Sequence, residues 1–216
     1  ITDGGVYYVS HEVTVSDEYP GTIMLNDAET TGSTFTITGD VDQIYKIVAA
    51  DEVGNVTKYT VTMKPIASLE ERIAGLTVDN VTSDDKENVK AVKDEIDTMD
   101  TSAATEDEKA ALQEIGSNCD QLLAKIDETA HAIETPSIQE VADVTPDNVA
   151  LEDKDNLQAA KDDLEQALED YAGNLTEEEK AAIEEDIERI DNALTSIEKA
   201  EAVEDAIDSL PDAVEP

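Results

Sequence analysis

Two stretches of this chain, "TEEEKAAIEEDIERIDNALTSI" from Thr176 and "TEDEKAALQEIGSNCDQLLAKI" from Thr105, spell nearly the same acidic helix 71 positions apart. A second pair, "DNVTSDDKENVKAVKDEI" from Asp79 and "DNVALEDKDNLQAAKDDL" from Asp147, matches Asp-Asn-Val, Asp-Lys, Asn, Ala and Lys-Asp at one constant offset. Duplication of this kind restricts the fold more than any other feature. Each helix carries one apolar stripe and cannot bury it alone, so a copy must be built from helices that cover one another.

The stripes follow 3- and 4-residue spacing. In the first copy they are Val89, Val92, Ile96 and Met99, then Leu112, Ile115, Cys119, Leu122, Ile126 and Ile133. In the second they are Leu157, Ala160, Leu164, Leu168 and Tyr171, then Ile183, Ile187, Ile190, Leu194 and Ile197. Thr105 with Glu108, Thr176 with Glu179 and Ser68 with Glu71 read as capping boxes, with Thr82 and Asp85 a weaker version. Each copy thus reads as a short helix, a turn carrying "DNV", a medium helix, a loop and a long helix. Nothing breaks the helical pattern after Thr176, so the last helix is expected to run through Val203 and Ile207 to Leu210, on the order of 50 Å at 1.5 Å per residue. Thr135-Pro136 interrupts the junction between copies and is expected to bend more readily.

The first 65 residues follow a different rule. They hold six of the seven aromatics, and "VTV" (13–15), "TIML" (22–25), "TFTIT" (34–38), "YKIVA" (45–49) and "KYTVTM" (58–63) alternate apolar with polar between Gly, Asp and Asn turns. Short strands at this spacing predict a small sandwich. Pro65 in "MKPIAS" ends the strand pattern, and a helix start follows. Charge divides at the same place: residues 1–66 carry 10 acids and 3 bases, residues 67–216 carry 44 and 11.

The hairpin "YKIVAADEVGNVTKYTVTM", with Tyr45, Asp51, Gly54, Asn55 and "YTVT", resembles the last two strands of bacterial Ig-like modules in Gram-positive surface and carbohydrate-active proteins. Residues 66–216 resemble the three-helix repeats strung along such proteins; Ala150 stands where a capping Thr is usual. The final "AEAVEDAIDSLPDAVEP" is similar to that family's opening helix, with its Leu-Pro stop at Leu210 and Pro211. The resemblance implies an N-terminal Ig-like β-sandwich (1–65), a three-helix bundle (66–135), a second (136–200) and the first helix of a further repeat (201–216). This is a multidomain β plus α architecture, expected to be elongated, on the order of 100 Å if element lengths add. It also implies a location outside the cell, at a bacterial cell surface, cell-wall associated or secreted.

Composition narrows the functions. A formal charge of -40 repels nucleic acid and anionic membranes. No apolar run approaches the roughly 20 residues of a membrane span. Ile1 opens into strand-like sequence with no signal-type stretch, so the chain is expected to be a piece of a longer protein. One cysteine, Cys119, excludes an internal disulfide or a cysteine zinc site. That pattern suits the cytosol and the Gram-positive exterior equally.

Candidate chemistry is sparse. Cys119 falls in an apolar stripe and aligns with Ile190, a small buried hydrophobe rather than a nucleophile. His131 lies in the last turn of a helix, where cationic character suits exposed carbonyls. His11 shares strand parity with Val9 and Val13, at a turn or edge, in a different domain from His131, so no triad or metal pair arises. Glycosidase chemistry needs two carboxylates across a cleft, commonly with aromatic platforms, and the chain has no Trp. "TSDDKEN" and "ALEDKDN" lack the order of a calcium loop and read as helix starts. The sequons at Asn55, Asn80 and Asn174 have structural roles in prospect, at a turn and at the caps Thr82 and Thr176.

These readings predict a non-catalytic spacer or stalk without cofactor or metal site, monomeric, whose partners are neighbouring modules of the same polypeptide. The alternative is an adhesin-like module binding a host protein or glycan, with Tyr7, Tyr8 and Tyr19 the best candidates because one of the first two must face outward. A hydrolase lacks an assembled nucleophile, base and acid. Like charges such as Glu184 and Glu188, or Glu165 and Glu169, stand at i,i+4, with few favourable pairs such as Glu185 with Arg189 to offset them. With a Debye length of about 8 Å at physiological salt, screening should aid folding. Melting temperature is therefore expected to rise with NaCl and further with millimolar Ca²⁺ or Mg²⁺; a flat response would show that repulsion does not limit stability.

Overall fold

The computed structural model describes residues 1–16, 18 and 21–209. A β region occupies the N-terminal part and helices follow. The chain packs as two compact units, residues 1–75 with 87–121 and residues 76–86 with 122–216. No helix among the described residues is long and apolar enough to cross a membrane.

The strands are β1 (Val6–Tyr7), β2 (His11–Thr14), β3 (Thr22–Leu25), β4 (Ala28–Glu29), β5 (Thr34–Ile37), β6 (Gln43–Ala50) and β7 (Val56–Met63). The alternating runs all form strands, and β6 and β7 each reach two residues further toward their N-termini than the pattern predicts. The short β1 and β4 escape a reading based on alternation, because two residues carry no period. They form because neighbours offer edges: β1 pairs parallel with β7, and Asn26 and Asp27, at φ 51° and 67°, make the tight turn that returns β4 onto β3. One sheet runs β1-β7-β6-β3-β4, and β2 pairs with β5 in another. Val13, Ile37, Tyr45, Ile47, Val61 and Met63 form the core that both sheets share. In the β6–β7 turn Asp51 Oδ1 accepts the N–H groups of Val53 and Asn55 at 3.0 and 2.8 Å, and of Gly54 and Asn55 only Gly54 takes positive φ, 95°.

The helices are α1 (Ala67–Glu71), α2 (Lys86–Asp97), α3 (Glu106–Ala132), α4 (Pro136–Glu140), α5 (Lys154–Asp170) and α6 (Glu177–Asp208). α6 carries Val203 and Ile207 as expected; Leu210, Pro211 and the rest of 210–216 lie outside the described residues. The stripes are buried at Val89, Val92, Leu112, Ile115, Cys119, Leu122 and Ile126. In the second unit, α5 packs against α4 and α6 around Leu157, Ala160, Leu164, Ile183, Ile190 and Ile197.

Polar punctuation repeats with the helices. Asn80 Oδ1 accepts the Thr77 N–H at 2.7 Å, and Asn148 Oδ1 accepts the Thr145 N–H at 2.6 Å. Lys93 meets Asp120, and Lys161 meets Asp191. Asp85 accepts the Thr82 N–H at 3.0 Å; Asp153 does the same for Ala150 at 2.8 Å without a hydroxyl.

Two sequence expectations need correction here. Ser68 does not cap α1: the helix begins at Ala67, and the Ser68 hydroxyl donates back to the Pro65 carbonyl at 2.7 Å, as serine does once inside the first turn. Arg189 pairs with Asp186 at 2.9 Å, not with Glu185, because its guanidinium turns toward the Val141 and Val144 carbonyls at 2.9 and 2.6 Å. Pro136 opens α4 at its first position, where its missing N–H costs nothing, and the Thr135 hydroxyl reaches Asp163 at 3.0 Å.

Candidate functional site

Two of the three aromatic candidates, Tyr7 and Tyr8, are engaged in the fold. Tyr8 is buried, and burial followed by Glu95 pushes its phenol pKa up. Tyr7 is half-buried; its hydroxyl oxygen accepts the Thr2 N–H at 2.7 Å, and its ring meets His11 edge-on at 4.6 Å. Neither offers an open platform, which corrects the expectation that one must face outward: β1 ends at Tyr7, so strict alternation does not extend to Tyr8. Tyr19 lies outside the described residues.

Tyr59 is the exposed aromatic that the sequence reading missed. It shares parity with Val61 and Met63, which are core, yet it is 39% exposed at a cleft of about 370 Å³ between β2 and the β6–β7 face. Glu12, Thr14 and Thr57 also line this cleft. One carboxylate, hydroxyls and a ring can hydrogen-bond and stack on a polar ligand. No sequence signal separates Tyr59 from Val61, because the difference is where β2 stops covering the sheet.

His11 is buried at the start of β2, beside Ile37, rather than at an open turn. Its Nε2 has no partner among the described residues. Burial lowers its pKa, against the raising influence of Asp100 and Glu108. Cys119 is fully buried and burial pushes its thiol pKa up. His131 occupies the last turn of α3 as expected. Among the described residues no three or more His, Cys, Asp or Glu side chains cluster so as to hold a metal ion.

The constellation that repeats is built on the capping glutamates. Glu108 Oε2 accepts the Thr105 N–H at 2.7 Å while Thr105 Oγ1 accepts the Glu108 N–H at 3.2 Å, which closes the capping box of α3. Its other oxygen, Oε1, takes the Ser10 N–H and hydroxyl at 3.0 and 2.9 Å. Glu179 does the same in α6: Oε2 accepts the Thr176 N–H at 2.8 Å, and Oε1 accepts the Ser83 hydroxyl at 2.7 Å. Burial raises both carboxyl pKa values, but these hydrogen bonds outweigh it and hold each below the usual carboxylate range. Each long helix is thereby tied by its first turn to a serine far upstream in the sequence, Ser10 for α3 and Ser83 for α6.

Asn174 adds to the second of these ties. It is buried, and its amide donates to the Val78 and Val81 carbonyls at 2.9 Å each. Beside it Gly173 lies against the Asp79 carbonyl, where a Cβ would collide. The Asn-x-Thr spacing hides this role, since the same letters read as a sequon.

The chain matches no protein-family model, and no curated protein or solved structure is significantly similar to it.

Proposed function

We propose that this chain is a non-catalytic spacer or stalk segment of an extracellular bacterial multimodular protein. In this reading an Ig-like β-sandwich (1–65) is followed by tandem three-helix bundles (66–135 and 136–200) and the opening helix of a further repeat from 201. Its partners are neighbouring modules of the same polypeptide, and its location is the cell surface. The observation that carries the reading is the twin use of Glu108 and Glu179: the same side chain, at the same helical position, caps its own helix and holds a serine far upstream, Ser10 and Ser83 respectively. A repeated polar tie makes a serial joint. The acidic face keeps such a stalk hydrated and apart from anionic polymers.

A glycan and serum-protein binding screen tests this. The spacer shows no saturable binding; saturable low-micromolar binding overturns it. The cleft beside Tyr59 favours one second reading, an adhesin-like module. Under that reading binding is found and Tyr59→Ala removes it.

A further inference from the structure

The segment that crosses from one sheet to the other is buried from Tyr8 to Ser10, and His11, which opens β2 opposite Ile37, is buried with it. Two neighbours in this stretch have unlike roles. Ser10 gives its N–H and its hydroxyl to Glu108 Oε1, which ties the β region to the first turn of α3. His11, the next residue, is 7% exposed, and its Nε2 is buried with no hydrogen-bond partner. No other buried side-chain nitrogen or oxygen among the described residues is left in that condition. The β region, α2 and the first part of α3 belong to one compact unit, so tie and imidazole share one joint.

The groups around the imidazole come from several elements. The Tyr7 ring of β1 meets it edge-on at 4.6 Å. Asp100, in the loop before α3, and Glu108 of α3 act on it as negative charges, and the amino group of Ile1 as a positive one. Both carboxyls are held below the usual range: Asp100 foremost by the Ser102 N–H, and Glu108, against the raising effect of burial, by its bonds to Thr105 and Ser10. Neither therefore changes charge between pH 7 and 5.

Neutral imidazole fits this site and imidazolium does not. In the cation both ring nitrogens are donors, so Nε2 then carries an N–H that nothing accepts; in the neutral form protonated on Nδ1 it carries none. The cation also places a charge where water hardly reaches. Burial is accordingly the largest influence on this group and a downward one, and Asp100 and Glu108 only reduce it. A joint that opens and returns the ring to water escapes both costs.

We propose that His11 is an acid-released latch on the joint between the β region and α3. In mildly acidic solution the charged ring leaves its site and Ser10 moves with it. Glu108 keeps its cap on Thr105 and loses its hold on the β region, while the sheets and helices stay folded. Because opening takes up one proton, its equilibrium grows by up to about tenfold per pH unit below about 6.5, until the lowered pKa of the closed form is reached. The latch belongs to the joint and stands whether or not the chain is a spacer; in a stalk it loosens one link in acid surroundings.

Amide hydrogen exchange of the full chain by NMR, corrected for the intrinsic pH dependence of exchange, tests this, because the Ser10 N–H is itself part of the bond that opens. From pH 7 to 5 its protection should fall about fivefold or more, ahead of the amides in the β6–β7 ladder. In His11→Phe, which keeps a ring and cannot be charged, it should stay level. Asp100→Asn keeps an acceptor for the Ser102 N–H and removes a charge that favours imidazolium, so the fall should extend to lower pH. That variant decides if His11→Phe does not fold. Level protection of Ser10 in the parent overturns the proposal, as does a fall that persists in His11→Phe or an unchanged profile in Asp100→Asn. An equal and simultaneous fall in the ladder is acid unfolding of the β region, not release of a joint, and overturns it too.

Discussion

The first helical copy carries Cys119 where the second carries Ile190, and both side chains are fully buried in the seam of a long helix. Around that difference the polar frame is unchanged: Thr77 with Asn80 repeats as Thr145 with Asn148, and Lys93 with Asp120 as Lys161 with Asp191. The seam accepts different volumes because neighbouring apolar side chains adjust by rotamer, whereas a turn or a cap needs one donor and one acceptor at fixed positions. What differs most is the neighbour each copy is tied to. Glu108 reaches Ser10 in the β region, and Glu179 reaches Ser83 at the helix start of the first copy.

The strongest way to separate the copies is through the seam. Ile190→Ala should cost about 3–4 kcal/mol in urea denaturation, against about 1 kcal/mol for Cys119→Ala, since far less buried volume is removed. Equal losses would mean that the first seam is packed as tightly around sulfur as the second is around isoleucine.

Next comes Asn174, whose counterpart at the same offset is Ala103. Asn174→Ala strips donors from two backbone carbonyls and should cost about 2 kcal/mol, while Ala103→Asn should be near neutral. Thermal melts of both variants measure the contrast.

The two ties should then prove similar in strength, while the two units differ in acid response. Glu108→Gln and Glu179→Gln should each cost about 1 kcal/mol, and double-mutant cycles with Ser10→Ala and Ser83→Ala should show coupling in both. Because each folded-state carboxyl pKa is depressed, its contribution is present above the ordinary value, about 4.3, and is lost as pH falls through the depressed one. The unit holding Glu108 also buries His11, whose folded-state pKa is lowered. Stability from that group is complete above about 6.5 and declines as pH falls toward the lowered value. Hydrogen exchange between pH 7 and 5 should therefore show residues 1–75 loosening before the second unit, and His11→Phe should abolish the lead.

The smallest effect is at the helix starts. Ala150→Thr restores in the second copy the hydroxyl that Thr82 supplies in the first, and should raise stability by about 0.5 kcal/mol in the same melts.

Local chemistry made much of the helical part legible. Thr105 and Thr176 announce α3 and α6 because a capping box is complete within four residues, and the stripes follow because burial of one helical face needs only a period. Ser68 misled for a related reason: the motif is present, but Ile66 already has helical backbone and the helix starts two positions early. The β region was legible wherever strands are long enough to alternate. β1 and β4 were not, and neither was the burial of His11 and Tyr8, because these depend on strands brought together from distant positions.

The candidate surfaces divide along the same line. Sequence alone determined the repeat, its caps and its charge, because each of those is decided within a turn or two of helix. Only the tertiary structure decided that Ser10 and Ser83 would meet the capping glutamates, that Tyr59 would stand in the open while Val61 is covered, and that β6 would leave Ile44, on the parity opposite Tyr45 and Ile47, exposed. Each of those depends on where a remote segment stops covering the chain, and the physical quantity involved, excluded water at a face, belongs to the pair of surfaces rather than to either sequence.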